Sequence, residues 1–449
     1  MEQPELRRTL GLTSAITVIV GGVIGSGIFM KPLDISRSLP NEIWIFGTWA
    51  ALGLICLFGA FAYAELGAML PEAGGQYAFL REGWGRFTAF LYGWCLFLVI
   101  NTGTLAALAV AFAESLATAF GFGSGADIPV AVAMILGLAL VNHFGVKHGA
   151  AFQNVSTFAK LAALAAIVLS AFFRSPAAAS GAPVAAAGAA AFELPSLVTG
   201  LVAASVAIFW AYEGWYQLPF NAAELKSPER DLPRGLVWGV LILIVTYIAA
   251  NMAYLHVIPL DEMRGFSSAV DVPRTAVERI FGSAAGVALA LLIGLSVLGA
   301  ANPSLLSTPR AFYAMAKDGL LAAPLARVHA RWQTPTIAIW SQAIWAIALV
   351  VVLKNFKDIT EYVIFAALIF YGLTVASVYV LRRRRPDAPR PYRCWGYPVT
   401  PAIFILVVLF VDVQTLMDPA MRMNALFGLG ILAAGAVAYF VMPRRRAAA

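Results

Sequence analysis

An all-α integral membrane protein is the fold class the sequence predicts, and three observations carry it. The 449 residues are 61% hydrophobic and only 12% charged, with a mean hydropathy of +0.80, where soluble domains carry roughly 25% charged residues. Apolar segments of the length that crosses hydrocarbon, about 20 residues, recur along the chain. Lys and Arg are divided unevenly among the segments between them.

Taken in order, the apolar segments place about 12 transmembrane helices at 11–32, 42–70, 87–120, 128–146, 151–173, 197–219, 234–258, 275–308, 335–353, 359–381, 397–417 and 424–442. An even number puts both termini on one side. With the termini inside, the inner segments hold 21 Lys and Arg, among them Arg7, Arg8, Arg230, Arg234, Arg310 and Arg382 to Arg385. The outer segments hold 9, and the remaining one, Lys160, lies within a span. This bias predicts cytoplasmic termini. Met1 to Thr9 is polar and charged and does not read as a secretory signal. The Ala-, Pro- and Gly-rich piece Ser175 to Ala191 reads as an external linker. Asp127, Glu193 and Asp261 read as solvated loop charges.

The net charge of +7 and pI near 9.4 follow from the basic inner loops, so no nucleic-acid partner is expected. Cys56, Cys95 and Cys394 have no metal-ligand spacing, which argues against a metal site or a disulfide framework. No nucleophile–base arrangement or phosphate loop is present, and His143, His148, His256 and His329 are scattered near helix ends. The sequence predicts neither an enzyme nor a cofactor.

The first span contains Val20-Gly21-Gly22-Val23-Ile24-Gly25-Ser26-Gly27-Ile28-Phe29. Each Gly in a helix interior costs roughly 1 kcal/mol relative to Ala. Two readings compete: a small-residue face for close helix packing, or a broken helix lining a cavity. A break would present unpaired N–H groups near Ser26, Gly27 and Ile28, where the positive dipole end attracts a carboxylate. The sixth span carries a second interruption, Phe209-Trp210-Ala211-Tyr212-Glu213-Gly214-Trp215. Paired breaks in corresponding positions point to a transporter's substrate site. They divide the chain into a 5+5 inverted repeat, about 11–173 and about 197–381, with two extra helices at about 397–442, in a single transmembrane domain over 1–449.

A zwitterionic amino acid suits two such breaks. The first holds the carboxylate, and freed carbonyls at Trp210 and Glu213 accept from the ammonium. The expected substrate-binding residues are Ile24, Gly25, Ser26, Gly27 and Ile28, with Phe209, Trp210, Ala211 and Glu213. Trp210 lies over the side chain as a gate, or is an ordinary membrane aromatic. Glu213 accepts from the amine, pairs elsewhere, or is protonated. Lys160, near the middle of span five, is a functional candidate because an intramembrane charge is expensive. Its ammonium either occupies a sodium-like position against the broken first span, cycles a proton, or is a permanent structural cation.

Glu65 and Glu72 flank the inner end of span two as gate or anchor residues. Asn302, Ser304 and Ser307 interrupt span eight with Pro303, lining a pathway or satisfying one another. Glu114 and Asp412 are expected in structural pairs.

These residues resemble the amino acid–polyamine–organocation (APC) superfamily, and within it the bacterial relatives of the L-type, light-subunit amino acid transporters. Gly21 to Phe29 is similar to that family's unwound first helix. Phe209 to Trp215 is similar to its sixth, followed by Glu224-Leu225-Lys226-Ser227-Pro228-Glu229-Arg230-Asp231-Leu232-Pro233. Tyr63-Ala64-Glu65-Leu66, Pro71-Glu72-Ala73-Gly74-Gly75 and Arg393-Cys394-Trp395-Gly396-Tyr397-Pro398 resemble further family segments. The resemblance implies the five-plus-five repeat and sodium-independent exchange (antiport) of neutral L-amino acids by alternating access in a bacterial plasma (inner) membrane. It implies carboxylate binding at Ser26 and Gly27, an aromatic gate at Trp210, and Lys160 in place of sodium. Animal light subunits carry a cysteine between spans three and four that joins a heavy chain. The loop Gly121 to Asp127 has none, so no disulfide-linked heavy chain is expected. Glu213 stands where many relatives have a small or apolar residue. The competing readings are a proton-coupled symporter, with cationic amino acids drawn by Glu213 among its candidate substrates, and a transport-dead sensor or scaffold.

Overall fold

The computed structural model describes residues 8–123, 125–173, 196–353, 356–419 and 421–441. The expected linker at 175–191, Glu193 and the basic residues Arg7, Arg174, Lys354 and Arg444 to Arg446 lie outside the described residues. Within them the chain is helical, with one isolated bridge between Leu10 and Leu225.

The first apolar segment forms α1 (Leu12–Val23) and α2 (Gly27–Ser38), bent 45° at a short break. The expected end at residue 32 is corrected to Ser38. Pro32 lies inside α2 and is tolerated because neighbouring groups can compensate the lost bond. α3 (Glu42–Met69) starts where the Asn41 side chain accepts from the Trp44 N–H at 3.2 Å, satisfying an otherwise orphaned donor. After α4 (Gln76–Trp84), the third apolar segment runs as α5 (Arg86–Cys95), a π turn (Leu96–Ile100) and α6 (Asn101–Phe120). α7 (Asp127–His143) and α8 (Val146–Phe173) follow.

α9 (Leu197–Tyr212) gives way at Glu213-Gly214 to a 3₁₀ helix, Trp215–Glu224. α10 (Pro228–Val257) begins with Pro in its first turn and Glu229 and Asp231 beside the positive dipole end.

A short α11 (Leu260–Arg264) precedes α12 (Asp271–Phe281) and α13 (Ala285–Leu306). Here the expected eighth span, 275–308, is corrected. α12 buries Val272, Ala276, Val277 and Ile280 and turns Arg274 and Glu278 away, and Gly282 separates it from α13. A charged face of that kind suits an interface rather than hydrocarbon. α13 also runs through Pro303, and the break falls at Ser307-Thr308, before α14 (Pro309–Lys317). The chain closes with α15 (Thr336–Leu353), α16 (Phe356–Arg384), α17 (Val399–Met417) and α18 (Arg422–Val441).

Among the described residues eight helices are long and apolar enough to cross a membrane, the bent α1–α2 pair passes as one span, and three shorter apolar helices accompany them. α1 lies against α8, α10, α13 and the 3₁₀ segment. The Thr9 and Leu10 N–H groups donate to Glu224 O at 2.8 and 3.0 Å, so the chain start sits at the end of the 3₁₀ segment.

Candidate substrate site

The first break begins where α1 runs out of helical dihedrals. Ile24 N still donates to Val20 O at 2.9 Å, but Ile24 itself has ψ 90°. The next hydrogen-bonded turn opens only at Ser26, whose carbonyl accepts from Phe29 and Met30 at 3.1 and 2.8 Å. The N–H groups of Gly27 and Ile28 therefore precede the first bonded turn of α2, where a helix has donors to spare. Ser26 Oγ is buried and has no hydrogen-bond partner among the described residues. A buried hydroxyl beside free helix-start amides is chemistry suited to an anionic ligand group.

The second break lies against the first. A Cβ on Gly27 would come within 2.5 Å of Ala211 Cα, so only glycine permits this approach of the two backbones. Gly214 turns α9 into the 3₁₀ segment at φ 113°, and its Cβ position is 3.3 Å from Gly22 O. Tyr247 Oη, from α10, lies 3.0 Å from Val23 O and 2.7 Å from Ala211 O. One buried hydroxyl thus spans a carbonyl from each break. Sequence reasoning passed over Tyr247; its signal is a hydroxyl in the middle of an apolar span, which must find a partner there.

Ile24, Gly25, Ile28, Phe209, Trp210 and Ala211 are all buried around this contact. The expected pair of free carbonyls is revised in one respect. Trp210 O accepts from Glu213 N at 3.0 Å, the tight 3₁₀ bond that closes α9, and so is already engaged.

Lys160 is fully buried on α8 and reaches the first break. Its Nζ donates to Gly21 O at 2.7 Å, Ile24 O at 2.6 Å and Ser296 O at 3.1 Å. Ser296 Oγ, from α13, also donates to Ile24 O at 3.0 Å. The sequence pointed Lys160 at span one and missed Ser296. Carbonyl oxygens from α1 and α13 around one positive charge form an oxygen-rich set of the kind that suits a hard cation.

Glu213 pairs away from the first break: both its oxygens accept from Tyr371 of α16, at 2.7 and 2.8 Å. Tyr216 packs on Tyr371 with ring centroids 4.8 Å apart. Of the three readings of Glu213, pairing elsewhere is the one this geometry favours.

The remaining candidates lie outside this centre. Asn302 joins α13 to α7 and α8, donating to Gln153 Oε1 at 2.8 Å and accepting from Asn142 at 2.8 Å. The Ser304 and Ser307 hydroxyls are buried without hydrogen-bond partners among the described residues. The structural pairs expected for Glu114 and Asp412 are corrected: neither makes an ion pair among the described residues. Glu114 points outward near the end of α6, and Asp412 is buried among apolar neighbours. Glu65 holds Arg382 through two bonds of 2.9 and 2.6 Å and accepts from Cys394 N at 2.6 Å. Glu72 binds Arg81 at 2.7 Å; burial raises its pKa and the Arg81 charge opposes that rise. No group of three or more potential metal ligands occurs among the described residues.

A family model described as Amino acid permease matches residues 10–439. The chain belongs to the amino acid permease family, within the APC superfamily. This permease is 32% identical over 455 residues to the serine/threonine exchanger SteT of Bacillus subtilis, covering 99% of each chain. It is 31% identical to the b(0,+)-type amino acid transporter 1 of Mus musculus, over 98% of this chain and 89% of the relative. It is also 31% identical to the large neutral amino acids transporter small subunit 2 of Homo sapiens, over 97% and 80%. These relatives are carriers and not enzymes, and the permease is a multi-pass membrane protein of the same kind.

Proposed function

We propose that this permease is a secondary active exchanger of neutral L-amino acids, independent of sodium and working by alternating access. The observation that carries the reading is the contact of the two breaks at Gly27 and Ala211, with free amides and the unpartnered Ser26 hydroxyl beside it. The α-carboxylate binds at Ser26, Gly27 and Ile28. The ammonium lies toward the carbonyl end of α9, with Trp210 as the gate over the side chain. The breaks lie in the first and sixth of twelve spans, which supports two inverted five-span repeats, 11–173 and 197–381, followed by two extra helices.

Two observations favour neutral substrates and sodium independence. Glu213 is engaged by Tyr371, so it offers no open carboxylate to a cationic side chain. The Lys160 ammonium already neutralises the carbonyls of Gly21, Ile24 and Ser296. Two of the relatives are named for serine and threonine and for large neutral amino acids, and the common ground of those two names is a neutral side chain. All three cysteines are buried, which supports a carrier without a disulfide-linked heavy chain. The basic face lies in the cytoplasm, with both termini, at a bacterial inner membrane.

Liposome counterflow tests the reading. Uptake of labelled serine, threonine or leucine should require internal amino acid and be unchanged when sodium is replaced by choline. Uptake driven by a pH gradient into empty vesicles would establish symport instead, and equal uptake with and without internal substrate would rule exchange out.

A further inference from the structure

Away from the two breaks, a cleft of about 620 Å³ opens between the start of α10, α3 and the segment before α17. Its α10 wall carries Arg230, Arg234 and Trp238 at four-residue spacing, which aligns them on one helix face. All three are exposed. Neither guanidinium makes an ion pair or side-chain hydrogen bond among the described residues, whereas Arg81, Arg310 and Arg382 all do. Below Trp238 the same wall continues with Leu241, and Val245 is 68% exposed beyond it. Leu57 and Phe61 of α3 form the opposite wall, and Trp395 packs edge-on against Phe61 at 5.9 Å.

From Arg230 to Val245 this face runs for about 22 Å, at 1.5 Å per residue. It passes from guanidinium through indole to aliphatic side chains. That sequence matches one leaflet read inward: phosphate level, aromatic interfacial belt, acyl chains. Glu229 also lines the mouth, so two guanidiniums face one carboxylate and the balance is positive. Basic pockets at helix junctions on the cytoplasmic side suit anionic head groups, and Arg matches a phosphate through paired donors.

We propose that this cleft is a binding site for one anionic phospholipid of the leaflet on the basic face. Arg230 and Arg234 hold the phosphate, Trp238 and Trp395 flank the glycerol level, and an acyl chain lies along Leu57, Phe61 and Leu241. The assignment rests on the chain's crossing a membrane and does not depend on what it transports.

Thermal unfolding in a neutral detergent tests it without any transport assay. Dioleoylphosphatidylglycerol should raise the melting temperature by several degrees more than dioleoylphosphatidylcholine, as a ligand of the native state does. The excess should vanish in Arg230→Ala/Arg234→Ala and in Arg234→Glu. It should persist in Arg383→Ala, which removes an exposed basic residue of the same face outside the cleft. Native mass spectrometry should find one retained phosphatidylglycerol on the wild type and none on the double variant. Equal shifts from the two lipids, an undiminished shift in both cleft variants, or the same shift from inorganic phosphate would overturn the proposal. The substituted arginines are exposed, so lipid-free melting temperatures should match the wild type; a retained adduct on a variant that melts normally would overturn it too.

Discussion

At Lys160 the ammonium is the donor for the carbonyls of Gly21, Ile24 and Ser296, so its removal has two separable effects. A buried acceptor left without a donor costs about 1–3 kcal/mol, and Ile24 O keeps a second donor in Ser296 Oγ. Lys160→Ala should therefore lower the melting temperature whatever the lysine does. If the ammonium holds α8 and α13 to the break in one access state, exchange per folded molecule should also fall at least tenfold. Substrate-induced thermal shift should survive, because the lysine lies beside the carboxylate site and not on it. A folded variant exchanging at the wild-type rate would reduce Lys160 to a structural cation. The amides at Gly27 and Ile28 give a second expectation at this scale. Amino acid amides and decarboxylated amines lack the anion, and losing a charge-assisted contact costs roughly 1.5–3 kcal/mol. They should compete at least tenfold more weakly than the parent amino acid in an inhibition series. Gly27→Ala should abolish exchange, because its methyl would meet Ala211 Cα at 2.5 Å.

Between elements, the joints made by single side chains set how the two breaks stay together. Tyr247→Phe keeps the ring among Trp49 and Tyr212 and removes only the hydroxyl shared by Val23 O and Ala211 O. The expected outcome is a loss of about 1 kcal/mol of stability, read as a lower melting temperature, with a changed exchange rate. The Glu224–Arg310 pair, fully buried at 2.9 Å, joins the 3₁₀ segment to α14. Arg310→Met should cost about 3–5 kcal/mol by leaving a buried carboxylate without a counter-charge, held only by Asn221 Nδ2 at 2.9 Å, and adding Glu224→Gln should recover most of it; thermal denaturation of both variants decides. These joints also explain what could be read from the sequence. The breaks were legible because Gly and Ser cluster where helix formers are expected, and Lys160 because a cation in an apolar run has few explanations. Tyr247, Ser296 and Tyr371 were not, since each is ordinary in its own helix and gains its role only from an element distant in the chain. Glu213 was found as a residue, but its partner came from α16. The α12–α13 boundary was missed because α12 buries an apolar face that continues the hydropathy of the span behind it. Asp412 misled in the opposite sense, since a charge in a span suggests a pair and this one lies among apolar side chains.

For the molecule as a whole, the distribution of charge and the fixed ends of the chain give one orientation to test. Leu10 is bonded at the end of the 3₁₀ segment, close to Glu224–Arg310. At the other end of the chain, Tyr439 packs on Phe87 with centroids 5.0 Å apart, next to Arg86, which donates to Asp318 O. Both described ends therefore meet the face that holds Arg81, Arg86 and Arg382 to Arg385, while Arg274 lies on amphipathic α12, assigned to the opposite face. The proposed orientation, drawn from the positive-inside rule, puts the first face in the cytoplasm. Cys56, Cys95 and Cys394 are all buried, so the native thiols give a quiet background for labelling with a membrane-impermeant maleimide. Arg383→Cys should label in inverted vesicles and not in intact cells, and Arg274→Cys should do the reverse. Both positions are exposed, so neither variant disturbs packing, and Arg274 gives up only a surface pair with Glu278, of the kind worth about 0–1 kcal/mol. The opposite labelling pattern would invert the molecule, move the Arg230–Arg234 cleft to the outer leaflet and reverse the side on which each half-helix opens. Labelling of both positions from the same side would break the odd number of crossings between α12 and the end of α16, and with it the twelve-span arrangement.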